Sequence, residues 1–318
     1  MSKILLTGPI DEPSRNILRE FGELVFATDN GEATLLKEID GACALVVRGV
    51  PPISAAVIQR SDELRVIART GVGYSNVDVA AATALGIPVV FTPGAGARAV
   101  AEASLAYMLT LTKKIQHWDR QLKAGNWDSR YEQQGGDMED ATVGIVGMGR
   151  IGQLVAQMTR PFLMRVIGFD PYVDPRTVSQ FGVQMVDIDT LVSESDFICL
   201  HCVENDETKG LINRERLSKV KQGSYLINLA RGSVVESLDV LHEALQSGRL
   251  GGVALDVFEP EPPDVDHPIF QSERCLTAPH SMAGTPTATA RLQRMASEGV
   301  VAILRGEQPD NVVNREVF

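Results

Sequence analysis

The chain is short of the residues that would commit it to an extracellular, membrane-bound or nucleic-acid-bound role. Four cysteines among 318 residues cannot build a disulfide framework, which favours a cytoplasmic location. Two of them, Cys199 and Cys202, form a C-x-x-C in F-I-C-L-H-C-V. That pair lies along an apolar, strand-like run with no second pair elsewhere, so it reads as structural, and no metal is expected. Basic residues are outnumbered, 30 Lys and Arg against 41 Asp and Glu, for a formal net charge of −11. With no basic stripe to displace counterions from phosphates, no nucleic-acid partner is expected. A small anionic ligand remains compatible, because a few arginines in a cleft can reverse the field locally. Long hydrophobic runs are missing too. The N-terminal I-L-L stops at Gly8-Pro9, too soon for a targeting segment or a bilayer span, and no membrane partner is expected.

What is present is an ordinary globular composition, 44% apolar and 22% charged, in a length suited to two domains. In the first hundred residues short apolar runs at 3–6, 24–27, 45–47, 66–68 and 88–91 alternate with helical patterns at 13–21, 32–39, 54–60 and 77–85. Such alternation implies a parallel sheet covered by helices. One long amphipathic helix is expected over 101–124, ended by Gly125, followed by a polar, turn-rich connector. A second α/β series then begins, with strands expected at 141–146, 165–169, 197–200, 224–228, 252–255 and 274–277. A final helix is expected over 285–304, with 310–318 a tail returning to the first domain.

The second series opens with V-G-I-V-G-M-G-R-I-G, residues 143–152. A lone G-x-G-x-x-G is weak evidence, but this one sits between a β-run and a helical run. There Gly147 permits a tight turn, Gly149 lets the backbone approach a diphosphate, and Gly152 allows close helix–strand packing. Eighteen residues beyond Gly152, V-I-G-F-D-P-Y places Asp170 just after the next strand. A carboxylate there accepts from a ribose diol and repels a 2′-phosphate, favouring NAD over NADP. A turn-forming role before Pro171 is the plainer reading of Asp170 alone; the set decides.

A dinucleotide domain that moves hydride needs a proton-handling group and a substrate clamp. Of five histidines, His117 and His242 lie in amphipathic helices, His201 ends a strand beside the cofactor region, and His267 sits in a proline-rich loop. His280, in C-L-T-A-P-H-S-M-A-G, follows a strand at the C-terminal sheet edge, where open α/β sheets bind ligands. Arg231, after Y-L-I-N-L-A, has a guanidinium fork suited to a carboxylate. Glu261, in A-L-D-V-F-E-P-E-P-P, can pair with His280 and favour its imidazolium form. Glu259 competes for that role, and spacing does not separate the two.

G-M-G-R-I-G, F-D-P-Y, N-L-A-R-G, A-L-D-V-F-E-P-E-P and A-P-H-S-M-A-G stand in the order seen in NAD-dependent D-2-hydroxyacid dehydrogenases, which the chain resembles along essentially its whole length. T-G-V-G-Y-S-N-V-D and P-G-A-G-A-R-A-V-A-E match that family's first-domain motifs. The resemblance implies an oxidoreductase with a catalytic Arg231, Glu261 and His280. Glu261 is preferred over Glu259 for lying five residues after Asp256 and directly before a proline. It implies two doubly wound parallel-sheet domains, a Rossmann-type NAD-binding domain (101–284) inserted into a flavodoxin-like substrate domain (1–100 plus 285–318). It implies cofactor contacts from Arg150, Ile151, Thr208, Ala230 and Asp256, a substrate carboxylate on Val72, Gly73 and Arg231, and a homodimer. One departure is that a proline common after the strand at 197–200 is missing from H-C-V-E-N-D-E-T.

Arg48, Arg69 and Arg98 lie in first-domain loops or strand ends, which makes a substrate with a second anionic group attractive, although an isolated surface arginine is usually just solvated. The resemblance is closest in kind to phosphoglycerate dehydrogenases of a short form, without an added C-terminal regulatory domain. 3-Phosphoglycerate is the first expectation. Glyoxylate or hydroxypyruvate reduction and sulfolactate oxidation are alternatives. A different class, the NAD-sensing corepressors of this fold, is disfavoured by the lack of extended disordered arms. Formate oxidation finds no support.

Overall fold

The computed structural model describes residues 2–49 and 51–318. The chain separates into two compact units, one formed by residues up to Gly96 together with Gly284–Phe318, the other by Ala97–Ala283.

In the first unit the elements run β1 (Lys3–Leu6), α1 (Glu12–Arg19), β2 (Glu23–Phe26), α2 (Glu32–Glu38), β3 (Ala42–Val47), α3 (Ala55–Gln59), β4 (Val66–Arg69), α4 (Val79–Ala84) and β5 (Val89–Val90). All five strands are parallel, in the order β2-β1-β3-β4-β5. That is the flavodoxin-like order. The central strand β3, A-C-A-L-V-V, is buried at every position, as expected for a parallel strand covered on both faces. Helix starts are fixed by side chains that accept from free N–H groups: Asp11 from Ser14, Ser54 from Val57 and Asp78 from Ala81. Each such cap is worth about 1 kcal/mol. The C-terminal tail closes this unit. Asn314 accepts from Val89 N–H at 2.8 Å, and Val90 bridges Val312 antiparallel.

The second unit continues with α5 (Ala97–Thr112), α6 (Ile115–Lys123), β6 (Thr142–Val146), α7 (Arg150–Thr159), β7 (Arg165–Phe169), α8 (Pro175–Ser179), β8 (Val183–Met185), α9 (Ile188–Glu194), β9 (Phe197–Leu200), α10 (Arg214–Lys219), β10 (Ser224–Asn228), α11 (Leu238–Gln246), β11 (Leu250–Leu255) and β12 (Cys275–Thr277). The chain then re-enters the first unit through α12 (Pro286–Leu304), capped by Thr285. The seven strands are all parallel, ordered β12-β11-β10-β9-β6-β7-β8. Strand order reverses at β6, so a ligand crevice is expected beyond the carboxyl ends of β6 and β9.

Two sequence expectations need correction. The helix expected over 101–124 is two helices, α5 and α6, and α5 begins at Ala97. Lys114 adopts a left-handed conformation (φ 51°), and Gly136 N–H returns from the connector to cap the Thr112 carbonyl at 2.8 Å. The break is therefore made by a distant segment rather than by a local helix breaker. Strand β8 was not anticipated: V-Q-M is three residues long and carries a polar residue mid-strand, below what apolar patterning can register.

Candidate active site

Three neighbouring strands of the larger sheet, β10, β11 and β12, end in the segments carrying Arg231, Glu261 and His280. After β10, Asn228 folds its own loop. Its side chain accepts from Ala230 N–H at 3.1 Å and donates to the Arg231 carbonyl at 2.9 Å. The half-buried Arg231 donates from Nη1 to the Ala230 carbonyl at 2.7 Å. Gly232 follows because any side chain would strike the next loop: a Cβ there would lie 2.0 Å from the Phe258 carbonyl carbon.

After β11, Asp256 is buried and its carboxylate is fully employed. It accepts from Ser281 N–H at 2.8 Å and Met282 N–H at 3.1 Å. Burial pushes its carboxyl above the ordinary carboxylate value, and these two donors partly oppose that shift. The bonds also explain a strained neighbour. His280 has φ 50°, uncommon outside glycine, at a cost of order 1–3 kcal/mol. The clamp on the two following residues holds it there. His280 Nδ1 meets Glu261 Oε2 at 2.8 Å, and the other Glu261 oxygen accepts from Phe258 N–H at 3.1 Å. The geometry thus selects Glu261 rather than Glu259 as the histidine's partner. With Nδ1 turned to the carboxylate, Nε2 is the ring nitrogen that Glu261 does not engage.

The glycine turn stands three strands from β11, between β6 and α7. Gly147 has φ 94°, and a Cβ there would lie 2.5 Å from Cys202 N. A Cβ at Gly152 would lie 2.1 Å from the Gly147 carbonyl oxygen, so both positions are sterically closed. Gly149 differs: nothing lies within 4 Å of where its Cβ would stand. That leaves an open approach to the N-terminus of a ten-residue helix, which suits a diphosphate. Asp170 follows β7, accepting from Met148 N–H at 2.9 Å and Tyr172 N–H at 3.0 Å. These residues fit a dinucleotide, with Arg150 and Ile151 opening α7 beside the turn.

The remaining candidates fall into place less uniformly. Ala230 is buried beside Arg231. The Thr208 hydroxyl is engaged within its own loop, donating to the Val203 carbonyl at 2.7 Å and accepting from Asn205 N–H at 2.9 Å. Arg98, expected in a first-domain loop or strand end, instead lies in the first turn of α5 in the second unit, exposed and paired with Glu102 at 2.9 Å, because the helix starts four residues earlier than its apolar pattern suggests. In the first unit, Val72 is half exposed on the loop after β4, next to Gly73. Arg48 donates to the Pro9 carbonyl, and Arg69 Nε lies 3.4 Å from Asn76 Oδ1. His267 caps a short turn through Nδ1 and meets Asp239 through Nε2. His117 lies 3.6 Å from Glu273. Burial raises the thiols of Cys199 and Cys202 to about 12 and about 11, far from the thiolate that redox or metal chemistry needs. No helix among the described residues is long and apolar enough to cross a membrane.

Sequence reasoning missed the supports. Asn228, which shapes the arginine loop, and Asp256 as the clamp behind His280 act through bonds to backbone, which residue type alone does not announce.

The D-isomer specific 2-hydroxyacid dehydrogenase NAD-binding domain matches residues 105–282. This chain belongs to that family. D-3-phosphoglycerate dehydrogenase of Methanocaldococcus jannaschii is 39% identical over 99% of the chain and 60% of its own length. Glyoxylate reductase of Korarchaeum cryptofilum is 34% identical over 99% of the chain and 96% of that protein. Among solved structures, D-lactate dehydrogenase of Aquifex aeolicus in complex with NAD and lactic acid superposes with a TM-score of 0.87 at 28% identity, covering 98% of this chain and 99% of that one. The chain spans about 60% of the length of the phosphoglycerate dehydrogenase relatives it matches first. NAD is the cofactor that the family's domain binds.

Proposed function

We propose that the protein is a reversible NAD-dependent dehydrogenase of 2-hydroxy acids, with Ala97–Ala283 as cofactor domain and the remaining unit as substrate domain. The observation that carries this reading is the His280 Nδ1–Glu261 pair at 2.8 Å on the strand-end loop beside those of Arg231 and Asp256. When bound, the nicotinamide supplies or accepts the hydride at C2. His280 protonates the forming alkoxide from Nε2, and on the return reaction takes that proton back. Glu261 holds the ring in the required tautomer and stabilises the imidazolium. Arg231 binds the substrate carboxylate and opposes charge developing on the C2 oxygen. Within the substrate domain, the backbone N–H groups of Val72 and Gly73 are the donors assigned to a carboxylate. Ala230, Thr208 and Asp256 serve the cofactor side, Asp256 by fixing the backbone that follows His280.

A substrate with a second anionic group, 3-phosphoglycerate first, is supported by Arg48. Its side chain lines a cavity of about 330 Å³ with Asp11, Gly284, Pro286, Thr289 and Gln293, at the N-terminus of the 19-residue α12, the Asp11 carboxylate being engaged by Ser14 N–H at 2.9 Å. A cation beside a long helix's positive end suits phosphate. Arg98, already committed to Glu102, adds less. Glyoxylate or hydroxypyruvate reduction is the second reading, favoured by the glyoxylate reductase that matches over nearly its whole length.

We place the protein in the cytoplasm as a homodimer joined through the cofactor domain, where Ile115, Leu122, Trp127 and Tyr131 are all more than half exposed on α6 and the turn after it. Light scattering at micromolar concentration tests that assembly. The activity is tested by NADH oxidation against phosphohydroxypyruvate, sulfopyruvate, hydroxypyruvate, glyoxylate and pyruvate. Preference for the phosphorylated acid supports the first reading, and preference for glyoxylate or hydroxypyruvate the second. No turnover with any acid, alongside tight NADH binding, would replace both by a nucleotide-sensing protein.

A further inference from the structure

Loops on either side of the glycine turn are joined by a side-chain bridge. β7 and β9 are the two sheet neighbours of β6, so the segments following them flank the turn that β6 leads into. Tyr172 stands three residues after β7, and Glu207 lies in the loop after β9. The Tyr172 hydroxyl donates to the Glu207 carboxylate. A line of bonds therefore runs from Met148 N–H of the turn to Asp170, from Asp170 back to Tyr172 N–H, and through the phenol to Glu207. The far end is firm as well, because Asn205 Oδ1 accepts from Glu207 N–H at 3.1 Å and from Thr208 N–H at 3.0 Å.

Both members of the bridge are exposed, Tyr172 at 75%, so it contributes little to stability. Its bearing is on charge. The phenol is faced by two carboxylates. The bond to Glu207, and more weakly the charges of Glu207 and Asp170, push its ionisation above the ordinary tyrosine value. The phenol therefore stays a donor at neutral pH and keeps the Glu207 carboxylate on the side of the crevice that Asp170 occupies.

We propose that Glu207, positioned by Tyr172, is a specificity-determining residue for the cofactor. With Asp170 it forms a two-carboxylate wall that admits an adenosine ribose with a free 2′-hydroxyl and rejects one bearing a 2′-phosphate. Asp170 alone supplies one negative charge against a group that carries nearly two. A second carboxylate held nearby adds repulsion that a freely rotating glutamate would lose to solvent and salt. The inference rests on assigning the glycine turn to the dinucleotide.

The test is calorimetric titration of the intact protein with ADP-ribose and with 2′-phospho-ADP-ribose, which needs no turnover. Wild type binds ADP-ribose the more tightly, and its preference narrows as salt rises from about 0.05 to 0.5 M. Glu207→Gln keeps an acceptor for the phenol but removes the charge, and shifts the affinity ratio about tenfold toward the phosphorylated ligand. Tyr172→Phe keeps the charge but frees it, and gives a smaller shift in the same direction. A ratio unchanged within about twofold in Glu207→Gln overturns the proposal. An unchanged ratio in Tyr172→Phe alone overturns the positioning role of the tyrosine. Failure of wild type to bind ADP-ribose would instead reject the dinucleotide assignment beneath it.

Discussion

β9 and β12 belong to one parallel sheet, and each is followed by a histidine at its carboxyl end, His201 and His280. His201 Nε2 lies 3.2 Å from Ser104 Oγ, and since that hydroxyl donates to the Val100 carbonyl, the imidazole must donate to it. Its Nδ1 is buried without a partner, and burial pushes its ionisation down to about 3. His280 is half exposed, backbone-strained and paired with a carboxylate. The same residue type at equivalent positions is a packing group, neutral near pH 7, in one place and, in the proposed mechanism, the proton carrier in the other. Strand-end position finds candidates; the carboxylate partner and access to solvent separate them.

The two ends should respond oppositely to substitution. At β12, Glu261→Gln removes the charge that orients His280 and lowers turnover roughly 10²-fold while NADH affinity, followed by fluorescence titration, is retained. Equal losses in binding and turnover would mean that the pair props up the loop instead. At the turn after β6, which packs on the segment following β9, Gly147→Ala drives a methyl into Cys202 N and the His201 carbonyl carbon, at 2.5 and 2.7 Å, from a left-handed backbone. It should cost about 1–3 kcal/mol in denaturant unfolding and weaken NADH binding with it. A stable variant with normal affinity would show the turn to be looser than drawn.

The smallest effect concerns His201 itself. Its proton is bound near pH 6.5 in the unfolded chain but only near 3 in the folded one, so the unfolded state holds more protons between those values. Its contribution is complete above pH 6.5 and declines as pH falls toward 3, by up to about 1.4 kcal/mol per pH unit. His201→Asn should flatten that dependence in unfolding curves at pH 7, 6 and 5, without changing the pH profile of turnover. A changed turnover profile would erase the distinction between the two histidines.

Much of this was legible in the residues. Strands such as β3 and β9 announce themselves as unbroken apolar runs, and the glycine motif, Arg231 and His280 stand out by following strands. The break at Lys114 was not legible, because a lysine is no helix breaker and the cap arrives from Gly136. Nor was the choice between Glu259 and Glu261 open to spacing; it rested on family resemblance until a bond length decided the geometry. The Tyr172–Glu207 bridge joins residues 35 apart in sequence through a sheet order no local pattern encodes.

The central claim is that His280 moves the proton and does nothing for the cofactor. It is tested most directly by titrating His280→Ala with NADH and, in the same preparation, measuring turnover of the best 2-keto acid. The account predicts wild-type affinity with turnover reduced roughly 10²- to 10⁴-fold. Undiminished turnover in that variant would contradict it.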